Sequence, residues 1–546
     1  MSSEYPPVIS ALDFTADSMV DETIPDSTPM KDFYRDKTIF LTGGTGFLGQ
    51  LYVEKLLRCR VKQIYLLARP KKNKTSWDRV QEIFVGPLFK RLNSIDKSYM
   101  KRICLIEGDL GALNLGMADN QRQELIDNVE IVLHAAADVR FDKTLQQLCL
   151  SNVRGTREVI TLTKEMKNLL VFAYISTAYS HSPRDVIEEK FYPAPVDPDQ
   201  MIRVAEYYSE RDSDVFETVT TRLIGPWQNT YVFTKALTEE LVRRASLHVP
   251  TVLIRPSIII ATHEDPIPAW CNNTYGLNGF LVACGLGFIR IMHYSNKTET
   301  NIICADFVTN ATLAIVWNKS NEIERFESNE QTMSDDEISG TVYNVTAKND
   351  HLTYCQINQI MSEMFEEYPS CNALWLHRPN NTNCAFMYAW LAILYHAIPA
   401  FIFDIYLKMT NNKFRLMPNY RKVELFQLHT TYFMKKTWTF ETENLRKIIA
   451  RMSRHDQEFF PCDVNRYDFR EFSYKYLWGL RTYIAKEPID NIDAARRKLL
   501  KMKIAHYFVL VIYYIFVAVF YYFFFQTIGL NSYMRNVYRS HFANAV

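Results

Sequence analysis

Two side chains four residues apart, Tyr231 and Lys235 in Tyr231-Val232-Phe233-Thr234-Lys235, carry the clearest chemical signal in this 546-residue sequence. They open a helical pattern, and on a helix that spacing puts both groups on one face. A phenol that titrates at about 10 is a poor acid–base group at neutral pH, but a neighbouring ammonium favours phenolate and brings it toward working range. Upstream, a strand expected to end at Ser176-Thr177 offers a hydroxyl to hold a carbonyl oxygen beside the phenol, with Thr177 the first choice and Ser176 the second. Together these groups would protonate an oxygen as hydride reaches the attached carbon. The same spacing recurs at Tyr432 and Lys436, far outside the nucleotide-binding region, and reads there as coincidence.

A hydride donor has its own signature near the start of the chain. A strand expected at residues 37–41 runs into Thr42-Gly43-Gly44-Thr45-Gly46-Phe47-Leu48-Gly49 and then into an apolar, amphipathic segment at 50–59. Gly43, Gly46 and Gly49 permit a tight turn, close backbone approach to a pyrophosphate and close helix packing, while the helix N-terminus presents N–H groups to the anion. Further strands are expected at 61–68, 101–107, 129–133, 169–175 and 251–254, spaced widely enough for crossover helices. The predicted fold class is therefore α/β, a doubly wound parallel Rossmann-type sheet. The second strand ends at Ala68-Arg69, followed by Lys71 and Lys72, where a site selective for NAD would carry an acid. Base in place of acid favours a 2′-phosphate and hence NADPH. Asp109 and Leu110 follow the third strand, with Asp109 suited to accept from the adenine amino group. Ala135 and Ala136 follow the fourth, and their small side chains allow close cofactor approach.

The glycine loop, Ile175-Ser176-Thr177-Ala178-Tyr179 and Tyr231-x-x-x-Lys235 resemble the extended short-chain dehydrogenase/reductases, and within them the alcohol-forming fatty acyl-CoA reductases. The resemblance runs from about residue 37 to residue 483. Tyr395-His396-Ala397-Ile398-Pro399-Ala400 and Trp438-Thr439-Phe440-Glu441-Thr442-Glu443-Asn444 look like the second, helical domain of those reductases. It implies NADPH-dependent reduction of a long-chain fatty acyl-CoA to a primary alcohol through a bound aldehyde, with release of CoA. Tyr231 and Thr177 would then steady the oxyanion, and Lys235 would support the phenol and a ribose hydroxyl. Ser180-His181 stands where Val-Asn is usual, and 301–306 has lost the Asp and Pro of an Asp-x-x-Pro-Val-Asp stretch. Two other classes share parts of the pattern: a membrane-attached 3β-hydroxysteroid dehydrogenase, and a nucleotide-binding scaffold without catalysis.

With 34 Phe and 32 Tyr, the chain has more large apolar side chains than one such sheet needs, which suggests a buried acyl tunnel that retains the aldehyde. The long insertion at 182–227 is expected to cap the substrate side. With 62 basic against 61 acidic residues and no basic run interleaved with aromatics, nucleic acid is excluded as a partner. The ten cysteines are scattered, without metal-like spacing, and read as thiols in a reducing compartment with no metal site. Four segments are expected: a disordered lead-in at 1–34, a cofactor and substrate domain at 35–375, a helical domain at 376–490, and a tail at 491–546. That tail contains a transmembrane helix at 504–525, free of Asp, Glu, Lys and Arg and about 33 Å long. Arg496, Arg497, Lys498, Lys501 and Lys503 precede it, against Arg535 and Arg539 beyond, so the catalytic bulk is placed in the cytosol. Attachment to the endoplasmic reticulum is favoured over the peroxisome, and the ending Asn544-Ala545-Val546 is no peroxisomal address. A second apolar stretch, 384–403, broken by His396 and Pro399, is open to three readings, a span, a dip into one leaflet or a wall of the acyl site, with packing at the bilayer interface near the acyl entrance preferred. Oligomeric state is not set by the sequence.

Overall fold

Seven short strands, nearly all buried on both faces, form one parallel sheet in the order β7-β6-β5-β4-β1-β2-β3. They are β1 (Thr38–Thr42), β2 (Gln63–Ala68), β3 (Ile103–Glu107), β4 (Ile131–His134), β5 (Val171–Ile175), β6 (Thr251–Pro256) and β7 (Thr341–Val345). The computed structural model describes residues 25–70, 74–209, 213–328, 341–347, 352–377, 379–413, 415–464, 468–527 and 530–542. The first six strands match the expected ones to within about two residues at each end. The seventh was not anticipated, because it lies far beyond β6 in sequence and only its pairing, Val342 opposite Leu253, identifies it.

Side-chain alternation splits the core into two clusters. Ile39, Leu41, Ile64, Leu66, Ile131 and Leu133 point into one, while Phe40, Tyr65, Leu67 and Val132 point into the other. Helix α1 (Phe47–Arg58) packs on the first face, α2 (Gly155–Glu165) and α3 (Thr230–Ala245) on the second, and α4 (Ala305–Ser328) beside α1. Strand order reverses between β1 and β4, which opens the crevice at their C-terminal ends where such sheets bind ligands.

The lead-in ends earlier than expected. Residues 25–34 are ordered, with a helix at Pro29–Tyr34 capped by Thr28, and the remainder at 1–24 lies outside the described residues, as do Lys71, Lys72 and 544–546. The reason is burial: Met30 and Tyr34 are fully buried, and the Tyr34 hydroxyl donates to the Leu313 carbonyl at 2.6 Å. The insertion at 182–227 folds largely as helices Pro198–Ser209 and Ser213–Ile224, whose Met201, Ile202, Ala205 and Phe216 join the second cluster.

Beyond residue 375 the chain is mainly helical, including α5 (Met417–Thr430) and α6 (Ile492–Thr527). Short strands weave it into the first part: Asn380–Thr382 pairs with Ile291–His293, and Thr439–Phe440 with Val186–Ile187. Phe460, Phe472, Tyr476 and Trp478 share the first core cluster, so no clean seam separates the two expected domains. Among the described residues two helices are long and apolar enough to cross a membrane, Ala385–Met409 and Ile492–Gln526, and the second contains the expected span at 504–525.

Candidate functional site

Construction of the cofactor cradle begins at the end of β1. Gly43 adopts φ +79°, and a Cβ there would lie 2.8 Å from the Ala136 nitrogen; a Cβ on Gly49 would lie 2.0 Å from the Gly43 carbonyl oxygen. No side chain fits at either position, so α1 starts tight against the turn and against the end of β4. Gly46 is the N-cap of α1 and provides no side-chain cap, which leaves the first amides to a ligand. Ala135 and Ala136 are half-buried at the same crevice. Such a cradle, with room for backbone but not for a side chain, fits a pyrophosphate.

The other expected cofactor residues divide. Arg69 and Asp109 are both exposed and pair at 3.2 Å, while the Arg79 guanidinium donates to the Arg69 carbonyl. Arg79 was not singled out by the sequence reading: it sits on the Ser76–Phe84 helix, ten residues from Arg69, and only folding brings its guanidinium to the Arg69 backbone. Thr45 is half-buried on the turn, and its carbonyl accepts from the Gln50 side chain at 3.1 Å. The Phe47 ring leans on Trp270 at 5.4 Å. Gly44 is buried, Leu48 packs beside the first cluster and Leu110 beside the second. Thr42 is fully buried, its hydroxyl bonded to His134 Nδ1 at 2.6 Å and accepting from the Ala136 amide at 3.2 Å. It thus clamps β1 to β4. Burial, with help from the Lys235 charge, lowers His134 to about 3, so it is a neutral link in that clamp.

Tyr231 and Lys235 share one face of α3, whose N-cap Asn229 accepts from the Val232 amide at 3.0 Å. Lys235 Nζ donates to the Ile175 carbonyl at 2.7 Å and to the Tyr174 hydroxyl at 3.2 Å. Here the structure departs from the expected acidified phenol: the ammonium is held by Tyr174 and the end of β5. Burial pushes the Tyr231 hydroxyl up, and burial, partly opposed by Glu239, brings Lys235 down to about 7. Desolvation sets the direction at both groups, and the Tyr231 phenol is neutral at ordinary pH.

Ser176 and Thr177 are both buried at the end of β5, with different partners. The Ser176 hydroxyl donates to Glu239 at 2.6 Å, whereas the Thr177 hydroxyl accepts only a long 3.4 Å contact from the Tyr179 amide. Glu239 also receives His181 at 3.1 Å and Arg255 at 2.6 and 3.1 Å, so Ser176 is committed to a buried network. His181, one of the two unusual residues after the Ser-Thr-Ala-Tyr run, is thereby a structural partner of Glu239. Asn152 was also missed. It lies in a π-helical turn, Cys149–Arg154, where its amide brackets the Asp138 backbone at 2.8 and 3.0 Å and reaches Thr234 on α3 at 3.4 Å. A buried amide within a helix has no periodic signature, and only the bulge marks it.

Across the crevice, the Tyr231 ring lies 6.0 Å from Phe141, which lies 6.3 Å from His429 on α5. Tyr179 is boxed edge-on by Phe433, Trp438 and Phe440. The second Tyr-x-x-x-Lys pair has a structural use: Lys436 Nζ binds the carbonyls of Ser182, Pro183 and Arg184 at 3.0 to 3.2 Å and pins the loop after Tyr179.

Two family profiles, both described as "Male sterility protein", match residues 41–312 and 395–487. The chain is 32% identical over 495 residues to "Fatty acyl-CoA reductase wat" of Drosophila melanogaster, covering 90% of this chain and 92% of that protein. It is 32% identical over 482 residues to "Fatty acyl-CoA reductase 1" of Homo sapiens, covering 87% and 90% respectively. Among solved structures, the terminal R domain of the myxalamid PKS-NRPS biosynthetic pathway superposes with TM-score 0.54 at 17% identity, covering 83% of this chain and 92% of that one. The reductase domain of a Mycobacterium tuberculosis nonribosomal peptide synthetase gives 0.53 at 18%, covering 86% and 97%. These two likenesses concern the fold.

Proposed function

Given that the chain belongs to the fatty acyl-CoA reductase family, we propose that it reduces long-chain fatty acyl-CoA to the primary alcohol with NADPH, releasing CoA. The observation that carries this reading is that the glycine turn after β1, Thr177 after β5, and Lys235, tied to the Ile175 carbonyl at the end of β5, all belong to the C-terminal edge of one sheet.

Held at the Gly43–Gly49 turn, a nicotinamide cofactor would supply hydride to the carbonyl carbon. Thr177 and Tyr231 hydrogen-bond the carbonyl oxygen, and Tyr231 gives it a proton as charge develops. Lys235, held by the Ile175 carbonyl and the Tyr174 hydroxyl, keeps one ammonium proton to give to a ribose hydroxyl. Loss of CoA thiolate from the resulting hemithioacetal leaves an aldehyde. That aldehyde accepts a second hydride after cofactor exchange, again with Tyr231 as acid. Because kcat/KM reports the free enzyme, it is expected to fall as pH rises through about 7, where Lys235 loses its proton. A profile flat across that pH would remove Lys235 from the reaction.

Preference for NADPH is attributed to Arg69, which follows β2 where a ribose 2′-phosphate would lie, with Arg79 adding a second positive charge from its contact with the Arg69 carbonyl. Arg69→Ala is expected to weaken NADPH by about tenfold or more and leave NADH nearly unchanged, which titration with each cofactor would show. The Ile492–Gln526 helix is read as a membrane anchor, with the catalytic bulk on the cytosolic side of the endoplasmic reticulum, in keeping with the basic cluster at 496–503. The test of the reaction is incubation of membranes carrying the full chain with NADPH and acyl-CoAs of graded length, followed by chromatography for aldehyde and alcohol. No alcohol at any chain length would refute it.

A further inference from the structure

The segment 383–435 leaves the body of the protein and returns to the point where it left. Asn380–Thr382 pairs with Ile291–His293 just before the Ala385–Met409 helix, and after α5 Lys435 Nζ binds both His293 at 2.6 Å and the Asn383 carbonyl at 3.0 Å. Between these points the chain folds as a hairpin. Asp404 accepts from the Leu416 and Met417 amides at 2.6 and 3.0 Å, His396 stacks on Tyr420 at 4.8 Å, and Gln427 donates to the Ile291 carbonyl at 3.2 Å, so α5 runs back along the outgoing helix.

Only one narrow stripe of the outgoing helix faces protein. Ala392, His396, Ala400 and Leu407 are buried, whereas Phe386, Phe401 and Ile402 are 72%, 61% and 62% exposed. A helix apolar all round, with one packed stripe, needs a non-aqueous neighbour. The return leg cannot cross a bilayer, because Arg421, Lys422 and Glu424 are exposed within it. The hairpin also adjoins the anchor. Arg290 lies over the rings of Tyr395 and Trp375 at 5.0 and 5.5 Å, and Trp375 lies 6.0 Å from His506 at the start of the apolar part of α6. The body holds α6 there through Lys503–Glu366 at 3.3 Å and Lys498 to the Cys371 carbonyl at 2.7 Å.

We propose that Ala385–Met409 lies within the near leaflet of the membrane that α6 enters, without spanning it, and that α5 links this lipid-facing surface to the catalytic crevice as the path by which an acyl chain arrives. Tyr420 meets the embedded helix and His429 meets Phe141 beside Tyr231; nine residues of helix separate them by about 13 Å. The exposed cations Lys408, Arg421 and Lys422 sit where headgroup phosphates would be. The path rests on the acyl-CoA reading of the preceding subsection; the membrane placement does not.

Two measurements on the full chain test it. In sealed microsomes, a protease-cleavable tag inserted after Asn412 is expected to be cut as fast as one at the N-terminus, and protection until detergent is added would overturn the in-plane placement. In phosphatidylcholine vesicles, the Phe401→Glu, Ile402→Glu double variant is expected to raise KM for a long-chain acyl-CoA on the order of tenfold, with KM for NADPH and for a short water-soluble acyl-CoA unchanged. Both side chains lie on the outer surface of the protein, away from its core, so the fold is not at risk. Equal effects on long and short substrates, or none on either, would overturn the entry path. If the unmodified protein reduces neither substrate, the acyl-CoA reading itself fails and the entry path with it, while the tag result still decides the placement.

Discussion

Replacing Tyr231 by Phe is expected to lower turnover by about 10²- to 10⁴-fold while NADPH affinity stays unchanged. The substitution deletes one oxygen. Among the described residues it removes no hydrogen bond that supports the fold, because the anchoring contacts of the first turn of α3 run through Asn229 and through Thr234, which donates to the Tyr231 carbonyl. The ring contact with Phe141 survives. On the proposed mechanism, what would be lost is the proton donor: burial holds the hydroxyl above its ordinary range, so it would give up its proton only to an oxyanion developing beside it. Cofactor titration followed by single-turnover assay separates the two effects. A protein that keeps its turnover without this hydroxyl has another acid; one that binds NADPH and never reduces acyl-CoA, with or without the hydroxyl, is a nucleotide-binding scaffold.

Arg255→Leu is expected to be the most destabilising single change near the site, by about 3–5 kcal/mol. Arg255 and Glu239 are both fully buried, and the guanidinium also donates to the carbonyls of Glu188 and Lys190 at 3.1 Å. Burial alone would raise the Glu239 carboxyl; the Arg255 charge and the His181 bond outweigh it and hold the group well below the usual carboxylate range. Because the folded value is depressed, the contribution is present above the unfolded value of about 4.3 and is lost as pH falls toward the folded one. Removing Arg255 leaves a carboxylate stranded beside Ser176, one residue from Thr177. Thermal unfolding at neutral pH should show the loss. The Arg255→Leu, Glu239→Leu double variant should recover much of it, since no charge is then stranded. A single variant as stable as the parent would mean that water or a shifted proton neutralises Glu239.

Much of the molecule was legible in short windows of sequence. The turn from Thr42 to Gly49 announces itself because glycine is demanded where backbone must touch backbone, and six of the seven strands announce themselves because a strand buried on both faces is a continuous apolar run. The Tyr231 and Lys235 face needed only helical periodicity, and the candidate span within α6 only length without charge. These are local properties, set by residues within a few turns of each other.

Other features were decided by contacts between distant parts of the chain. Thr42 belongs to a clamp on His134, and the Lys235 ammonium to Tyr174 and the Ile175 carbonyl, because the ends of β1, β4 and β5 are brought side by side by the sheet. Arg79 joins Arg69 across a strand-to-helix loop, and Asn152 reaches the Asp138 backbone from a bulged helical turn. The lead-in folds from residue 25 onward because Tyr34 finds the Leu313 carbonyl nearly 280 residues away. Residues 385–409 have the length and apolarity of a membrane span; that the chain comes back to Asn383 through Lys435 is a property of the fold alone. Sequence patterns report how a residue relates to its neighbours in the chain, while partners for buried charges and polar atoms are chosen by proximity in space.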